Sequence, residues 1–178
     1  MSTLRVTAGA LRGRRVPVPP RDVRPTSERA RQAFFNIVGK RIQNARFLDL
    51  FAGSGIFSFE AVSRGAASAT AVDHDRRDID LITRLADELS VPVTAIRGEV
   101  IATLPRLQEK FDIVFADPPY DYDSYDALLS ALDQLDLGPD AMVAIEHRRG
   151  TNPFTVTTQR LRLQRRAEHG EVWITFFA

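Results

Sequence analysis

The residues whose types could do chemistry are concentrated in residues 115–123, FADPPYDYD. Asp117 follows an apolar run typical of a short buried strand, and Pro118 and Pro119 stop that strand because proline has no backbone N–H to donate. The strand end therefore combines a carboxylate, a rigid turn rich in carbonyl acceptors and the aromatic ring of Tyr120. A flat molecule with an exocyclic amino group would find hydrogen-bond acceptors and a stacking surface here. This stretch predicts a pocket for the amine of a nucleobase.

Charge is distributed unevenly along the 178 residues, although the formal net charge is only +1. Residues 1–46 contain eleven Lys or Arg and two acidic residues, a net charge of +9, whereas the remainder has a net charge of −8. A basic segment before a mildly acidic body favours an arm that binds a polyanion. Composition leaves a second interpretation equally open, in which the arginines form an ordinary solvated face.

Composition also excludes several classes of protein. The chain has no cysteine, which excludes disulfides and cysteine-based metal sites, and we expect no metal. No apolar run approaches the roughly 20 residues that span a bilayer, and no signal-peptide core is visible at the N-terminus. The length suits one domain with a small appendage. We expect a cytoplasmic monomer that does not bind membranes.

The N-terminal sequence predicts a hairpin followed by a helix. Two short runs, residues 4–7 and 14–18, flank a glycine-bearing linker, which is typical of a β-hairpin. Thr26 or Ser27 can cap a helix over about residues 28–38. We predict that residues 1–40 form a basic RNA-binding extension of a domain spanning residues 41–178. The candidate contacts to the polyanion are the arginines of this segment: Arg12, Arg14, Arg15, Arg24 and Arg29.

From residue 46 onward, apolar runs with strand character alternate with helical patterns. Because strands separated by helices form parallel sheets, we predict an α/β, Rossmann-like fold with a mostly parallel seven-stranded sheet. Two alternating runs near the end predict a closing antiparallel hairpin. The predicted strands cover residues 47–51, 69–72, 93–96, 113–116, 141–146, 160–163 and 172–176, and the predicted helices between them cover residues 56–64, 76–89, 101–107 and 123–135.

Sheets of this kind bind ligands at the carboxyl ends of their strands. Residues 49–55, DLFAGSG, follow the first of these strands, and Gly53 and Gly55 let a ligand approach the backbone closely. Ser58 replaces the third glycine of the dinucleotide fingerprint, and no triphosphate-binding loop occurs. The turn therefore favours a ligand without phosphates.

Polar residues also follow the next two strands. Asp73 can accept hydrogen bonds from both hydroxyls of a ribose, although an acid here can also cap a helix, a role that suits Asp75. His74 could contact a base or be an ordinary loop residue, and Glu99 could accept from an adenine amine or be a surface carboxylate. A ligand with ribose and adenine but no phosphates indicates S-adenosylmethionine.

These motifs resemble a known family. DLFAGSG, VDHD and ADPPY resemble the class I methyltransferases that methylate amines, and RVTAG, RGRRVPVPP and RPTSERARQAFFNIV resemble the bacterial RsmD family. That family methylates a guanine N2 of 16S ribosomal RNA, so the resemblance, over about residues 4–147, implies 16S rRNA or a small-subunit assembly intermediate as partner. It implies cofactor contacts at Asp49, Ala52, Gly53, Gly55, Asp73 (where the family typically has Glu), His74, Glu99 and Asp117, and N-terminal signature positions at Arg24, Pro25, Thr26, Arg29 and Asn36.

The resemblance also implies catalytic roles for Asp117, Pro118, Pro119 and Tyr120. The turn alone leaves three alternatives. An adenine-N6 methyltransferase would use the same residues, and a glutamine-amide methyltransferase usually has Asn at the position of Asp117. A non-catalytic RNA-binding module with a relic pocket is the third. Guanine is favoured over adenine only by the N-terminal resemblance.

Overall fold

The computed structural model describes residues 2–19 and 28–178. The described chain begins with a hairpin of β1 (Ser2–Arg5) and β2 (Arg15–Val18), followed by helix α1 (Glu28–Val38). Two further strands, β8 (Leu163–His169) and β9 (Val172–Phe177), close it. Between them strands and helices alternate: β3 (Arg46–Leu50), α2 (Ile56–Ser63), β4 (Ser68–Asp73), α3 (Arg76–Leu89), β5 (Val93–Arg97), α4 (Val100–Thr103), β6 (Phe111–Ala116), α5 (Tyr125–Asp133) and β7 (Leu137–Arg148).

The main sheet has seven strands in the order β5-β4-β3-β6-β7-β9-β8. The first five are parallel, and β9 runs antiparallel to both β7 and β8. The predicted α/β fold with a closing antiparallel hairpin is therefore confirmed. The strand order reverses between β3 and β6, so a crevice forms where their carboxyl ends meet.

Both faces of this sheet are covered by apolar side chains. On one face, the ring of Phe34 in α1 lies 4.8 Å from the ring of Phe115 in β6, and Phe115 stacks on Phe57 of α2 at 3.9 Å. On the other face, α5 buries Leu128, Leu129 and Leu132. Helix α1 therefore belongs to the same hydrophobic core as the helices of the sheet.

The N-terminal hairpin rests on the end of α2. The backbone N–H of Ala10 donates to the Ser63 carbonyl at 2.8 Å, and the N–H of Leu11 donates to Ser63 Oγ at 2.9 Å. Gly9 has a φ of +81°, and a Cβ added there would lie 1.7 Å from the Ser63 carbonyl oxygen. Only glycine fits this contact, because any side chain would overlap the backbone of α2.

The structure corrects one predicted strand. The alternation over residues 160–163 predicted a strand, but β8 begins only at Leu163. The Asp133 carboxylate accepts the backbone N–H groups of Gln159, Arg160 and Leu161 at 2.7–2.9 Å. Those donors are thereby turned toward the end of α5, and the segment is a loop. The predicted helix cap at Thr26 or Ser27 lies outside the described residues.

Candidate active site

A cavity of about 860 Å³ opens at the carboxyl ends of β3, β4, β6 and β7. The part of the chain predicted to bind cofactor and base converges here, and Leu4 and Val18 of the N-terminal hairpin form part of the wall. The predicted residues that line the cavity are Asp49, Ala52, Gly53, Asp73, His74, Glu99, Asp117, Pro118, Pro119 and Tyr120.

Among the predicted cofactor-binding and catalytic residues, only Gly55 does not line this cavity. It precedes α2 with a φ of +74°, and an added Cβ would lie 2.8 Å from Ile82 Cγ1 of α3. Its N–H donates to the Ala52 carbonyl at 2.8 Å. Gly55 therefore permits close packing of two helices behind the turn.

Asp49 lies beneath the glycine turn. Its carboxylate is buried and accepts hydrogen bonds from the N–H and the hydroxyl of Ser58, at 3.0 and 2.7 Å. Burial raises the pKa of Asp49 to about 8, although the bonds from Ser58 oppose this shift. Ser58, at the position where the dinucleotide fingerprint has its third glycine, thus holds the Asp49 carboxylate beneath the turn.

Asp73 connects two strand ends. Its Oδ2 accepts the Gly53 N–H at 2.8 Å, and its Oδ1 accepts the Asp75 N–H at 2.9 Å. A carboxylate has about four lone-pair sites, so two bonds leave acceptor capacity toward the cavity. The cap of α3 is Asp75, whose side chain accepts from the Arg77 N–H at 2.7 Å.

His74 and Glu99 complete this side of the cavity. His74 is exposed, with Nδ1 3.4 Å from the Oδ1 of Asp73. Glu99 is exposed and precedes α4 without capping it through its side chain. Both side chains are positioned to contact a ligand that enters from solvent.

The Asp-Pro-Pro-Tyr turn lies at the end of β6. The Asp117 N–H donates to the Leu50 carbonyl at 3.2 Å, which continues the pairing with β3 beyond the last strand residue. The Pro119 carbonyl accepts the Tyr122 N–H at 2.9 Å and closes the turn. Tyr120 is 58% exposed, so its ring is available for stacking on a ligand.

An aromatic wall that sequence reasoning missed stands beside this turn. The ring of Tyr122 lies 5.3 Å from Phe51 and 5.1 Å from Tyr125, edge-on in both cases. Phe51 has a φ of +59°, an uncommon conformation for a residue with a side chain. Such strain at a turn between two strand ends is typical of functional sites.

Glu146 was also missed, because it was assigned only to a strand. It is a buried cavity-lining residue near the end of β7, and its Oε2 has no hydrogen-bond partner within residues 2–19 and 28–178. Burial and the charge of Asp117 raise the pKa of Glu146 to about 9. The available signal was an acid after the apolar residues of a strand, the pattern that had already marked Asp117.

Four of the five predicted RNA-contacting arginines lie in the described ranges, and none of these four lines the cavity. Arg12, Arg14 and Arg15 are exposed on the hairpin, and Arg29 is exposed in the first turn of α1. Arg24 lies outside the described residues. Leu4 and Val18, at the open end of the hairpin, line the cavity, whereas the loop of the hairpin contacts Ser63 at the end of α2.

Within the described ranges, no helix has the length and apolar composition of a membrane span. Across residues 2–19 and 28–178, no three His, Asp or Glu side chains are grouped to hold a metal ion.

Comparisons with known proteins match most of the chain. A family model described as conserved hypothetical protein 95 matches residues 4–178. Ribosomal RNA small subunit methyltransferase D of Escherichia coli K12 is 38% identical over 119 residues, 66% of this chain and 60% of that protein. The protein of the same name from Haemophilus influenzae is 32% identical over 152 residues, 80% of this chain and 78% of that protein. The match thus spans less than two thirds of the Escherichia coli relative.

Solved structures of methyltransferases also match this chain. The structure of yhhF from Escherichia coli has a TM-score of 0.85 and 28% identity, covering 99% of this chain and 97% of that one. TrmN from Thermus thermophilus shares the fold at a TM-score of 0.66 and 22% identity, covering 83% of this chain and 47% of that one. The chain has the class I methyltransferase fold and belongs to the RsmD family, that of ribosomal RNA small subunit methyltransferase D.

Proposed function

We propose that this protein transfers the methyl group of S-adenosylmethionine to the exocyclic N2 amine of a guanine in 16S ribosomal RNA. The observation that carries the proposal is one cavity that joins the Asp-Pro-Pro-Tyr turn to the glycine turn and its partner Asp73. The relatives named ribosomal RNA small subunit methyltransferase D support the RNA substrate.

The residues at the cavity fit this cofactor. Asp73 has lone pairs left for ribose hydroxyls, and Glu99, which lines the same cavity, would accept a hydrogen bond from the adenine amine. The carboxylates of Asp73 and Asp117 would attract a positively charged sulfonium and repel phosphates. The cavity volume lies in the range of pockets that enclose a ligand of this size.

The reaction needs an aromatic amine to act as a nucleophile, although its lone pair is delocalised into the ring. The bound cofactor supplies a methyl group already activated by the sulfonium. Asp117 and the Pro118 carbonyl would accept the two amine hydrogens, which favours a pyramidal nitrogen with its lone pair directed at the methyl group. Tyr120 would stack on the base and hold it in place, which is worth about 1–3 kcal/mol. The amine proton can leave to water after transfer.

The basic N-terminal hairpin, residues 2–18, would supply affinity for RNA through contacts with phosphates. We call this hairpin the arm. A base in folded RNA must be exposed or flipped to enter the cavity, so contacts outside the cavity must hold the strand. Replacing Arg12, Arg14 and Arg15 by Ser should reduce RNA affinity and lower the slope of log affinity against log salt by about 2 to 3. Filter binding at several salt concentrations measures this, and an unchanged slope would remove the arm from the proposal.

The central experiment replaces Asp117 by Ala. We expect methyl transfer to 16S RNA, naked or in a partly assembled subunit, to fall by roughly 10²–10³-fold, since one preorganised acceptor is lost. Cofactor binding by calorimetry should persist. Asp121→Ala, an exposed acid four residues away, is the matched control and should keep full activity.

The product identifies the base. Mass spectrometry of nucleosides from treated RNA should show N2-methylguanosine. N6-methyladenosine instead would replace guanine by adenine in the proposal, and full activity of Asp117→Ala would refute the mechanism.

A further inference from the structure

One carboxyl oxygen of Glu146, Oε2, has no hydrogen-bond partner among the described residues, and Glu146 has no role in the reaction described above. The residue is 6% exposed, and its Oε2 is buried without a hydrogen bond. It lines the cavity. Because nearly all buried polar atoms in folded proteins are hydrogen-bonded, an unpaired one in a cavity wall points to a ligand that supplies the partner.

Glu146 lies next to Asp117 at the ends of two adjacent strands. Ala116 of β6 pairs in register with Ile145 of β7, and the next residues are Asp117 and Glu146. Neighbours in register on parallel strands direct their side chains to the same face of the sheet. The two carboxyls therefore flank the same part of the cavity.

The surroundings of Glu146 favour its neutral form. The groups that act on it are the Asp117 carboxylate and the phenol of Tyr125 on α5, and no ion pair found within the described ranges includes it. The neighbouring His147 hydrogen-bonds through Nε2 to Thr175 Oγ1 at 2.7 Å. Burial and the charge of Asp117 raise the pKa of Glu146 to about 9. A neutral carboxyl can donate a hydrogen bond as well as accept one.

We propose that Glu146 positions the guanine ring by donating a hydrogen bond from its neutral carboxyl to N3, next to the amine held by Asp117. This inference rests on the proposed function. In guanine the carbon that bears the amine lies between N1–H, a donor, and N3, an acceptor. A donor beside the amine therefore complements N3 and is mismatched with N1–H.

This contact would fix the rotation of the base in the cavity. Asp117 and the Pro118 carbonyl hold the amine at one point, about which the ring can still turn. A second bond to N3 removes that freedom and keeps the nitrogen lone pair aligned with the methyl group. Glu146 is thus a positioning residue, and its loss should lower kcat more than it raises KM.

The test pairs one side chain with one base atom. An RNA oligonucleotide carrying guanine or 3-deazaguanine at the methylated position, once located, is offered to wild type, Glu146→Leu and Glu146→Gln. Wild type should prefer guanine by about 10- to 100-fold in kcat/KM, since the modified base leaves the carboxyl unpaired. Glu146→Leu should lose the same factor on guanine and show no preference. Glu146→Gln keeps an N–H donor and should retain most of the preference.

Controls separate binding from folding. Glu88→Leu changes an exposed glutamate on α3 and should behave as wild type. Calorimetry should show unchanged cofactor binding for Glu146→Leu, so that lost transfer is not lost structure.

Each remaining outcome overturns something definite. If Glu146→Leu keeps the wild-type preference for guanine over 3-deazaguanine, the proposed contact is absent. If Glu146→Leu instead abolishes a preference for guanine over 2-aminopurine, which lacks the N1–H, the carboxylate is ionised and binds N1–H. If wild type methylates no guanine at all, the proposed function fails and this inference fails with it.

Discussion

Two buried glutamates show opposite ways of placing a carboxyl inside this protein. Glu60 of α2 accepts hydrogen bonds from the Thr7 N–H and from Arg64 Nε, each at 2.8 Å, and lies 3.5 Å from Arg31 Nε. Glu146 is nearly as buried, but its Oε2 has no partner. Burial is therefore not what distinguishes them. The two glutamates differ in their hydrogen-bond partners. The carboxyl of Glu146, which lines a cavity and whose Oε2 lacks such a partner within the described residues, is the one available to a ligand.

The partners of Glu60 also join parts of the chain. Arg31 of α1 donates to the Arg5 carbonyl at 2.7 Å, and Arg64 donates to Thr7 Oγ1 at 3.0 Å. Burial lowers the pKa of Arg31, which the charge of Glu60 opposes. This cluster fixes the hairpin and α1 against α2. The basic N-terminal segment thus contains structural as well as exposed arginines.

The largest effect should come from removing the paired carboxylate. Glu60→Ala leaves the Arg31 guanidinium buried without its ion pair, so we expect the free energy of unfolding to fall by about 3–5 kcal/mol. Urea unfolding measures it. Glu88→Ala on the surface of α3 is the control and should change stability by less than about 0.5 kcal/mol. A loss from Glu60→Ala no larger than the control's would show that the cluster does not stabilise the fold.

The next prediction concerns the pair itself. Arg31→Met combined with Glu60→Leu removes both charges, and well-packed apolar residues often replace a buried ion pair at little cost. We expect the double variant to be at least about 2 kcal/mol more stable than the sum of the single losses predicts. Additive losses would mean that Arg31 and Glu60 are not coupled.

Removing the unpaired carboxyl should have the opposite sign. Glu146→Leu deletes an unsatisfied buried polar atom, and we expect the free energy of unfolding to rise by about 1–3 kcal/mol. The same denaturation experiment checks this. A destabilised Glu146→Leu variant would indicate that the carboxyl has a structural partner, and the contrast with Glu60 would disappear.

The last prediction concerns how the stability depends on pH. The pKa of Glu146 is about 9 in the folded protein against an ordinary 4.5, so the folded state retains a proton that the unfolded state loses between these values. This group therefore lowers wild-type stability as pH rises, by at most about 1.4 kcal/mol per pH unit. The stability of Glu146→Gln relative to wild type should increase from pH 5 to pH 8. Asp49 acts in the same direction in both proteins and cancels. Parallel stability curves would contradict the assignment.

Local patterns were sufficient to predict the elements and most of the cavity. Helix α3 occupies Arg76–Leu89, the predicted range, because its apolar periodicity and its cap at Asp75 lie within the segment itself. The strand-end residues Asp49, Asp73 and Asp117 meet because the carboxyl ends of parallel strands lie at one edge of a sheet. Such features depend only on neighbours in sequence and on general topology.

What could not be predicted depends on partners distant in sequence. Arg31 of α1 can be buried because it forms an ion pair with Glu60 of α2, which lies 29 residues further along the chain. The predicted strand at residue 160 is absent because the Asp133 carboxylate accepts the backbone N–H groups of Gln159, Arg160 and Leu161. Glu146 gains its character from Asp117 on the adjacent strand. None of these pairings is encoded in a local pattern.

The close contact at Gly9 limits how the orientation of the N-terminal hairpin can change during evolution. At Gly9 the hairpin approaches α2 through main-chain atoms, with no side chain between Gly9 and the Ser63 carbonyl. At this contact the orientation of the hairpin on α2 is therefore set by main-chain atoms. It does not depend on which side chains occupy the tip of the hairpin. Arginines at the tip can therefore be exchanged without changing the orientation of the hairpin on α2. A single methyl group added at Gly9 would change the orientation of the hairpin on α2, although every arginine of the hairpin would be retained.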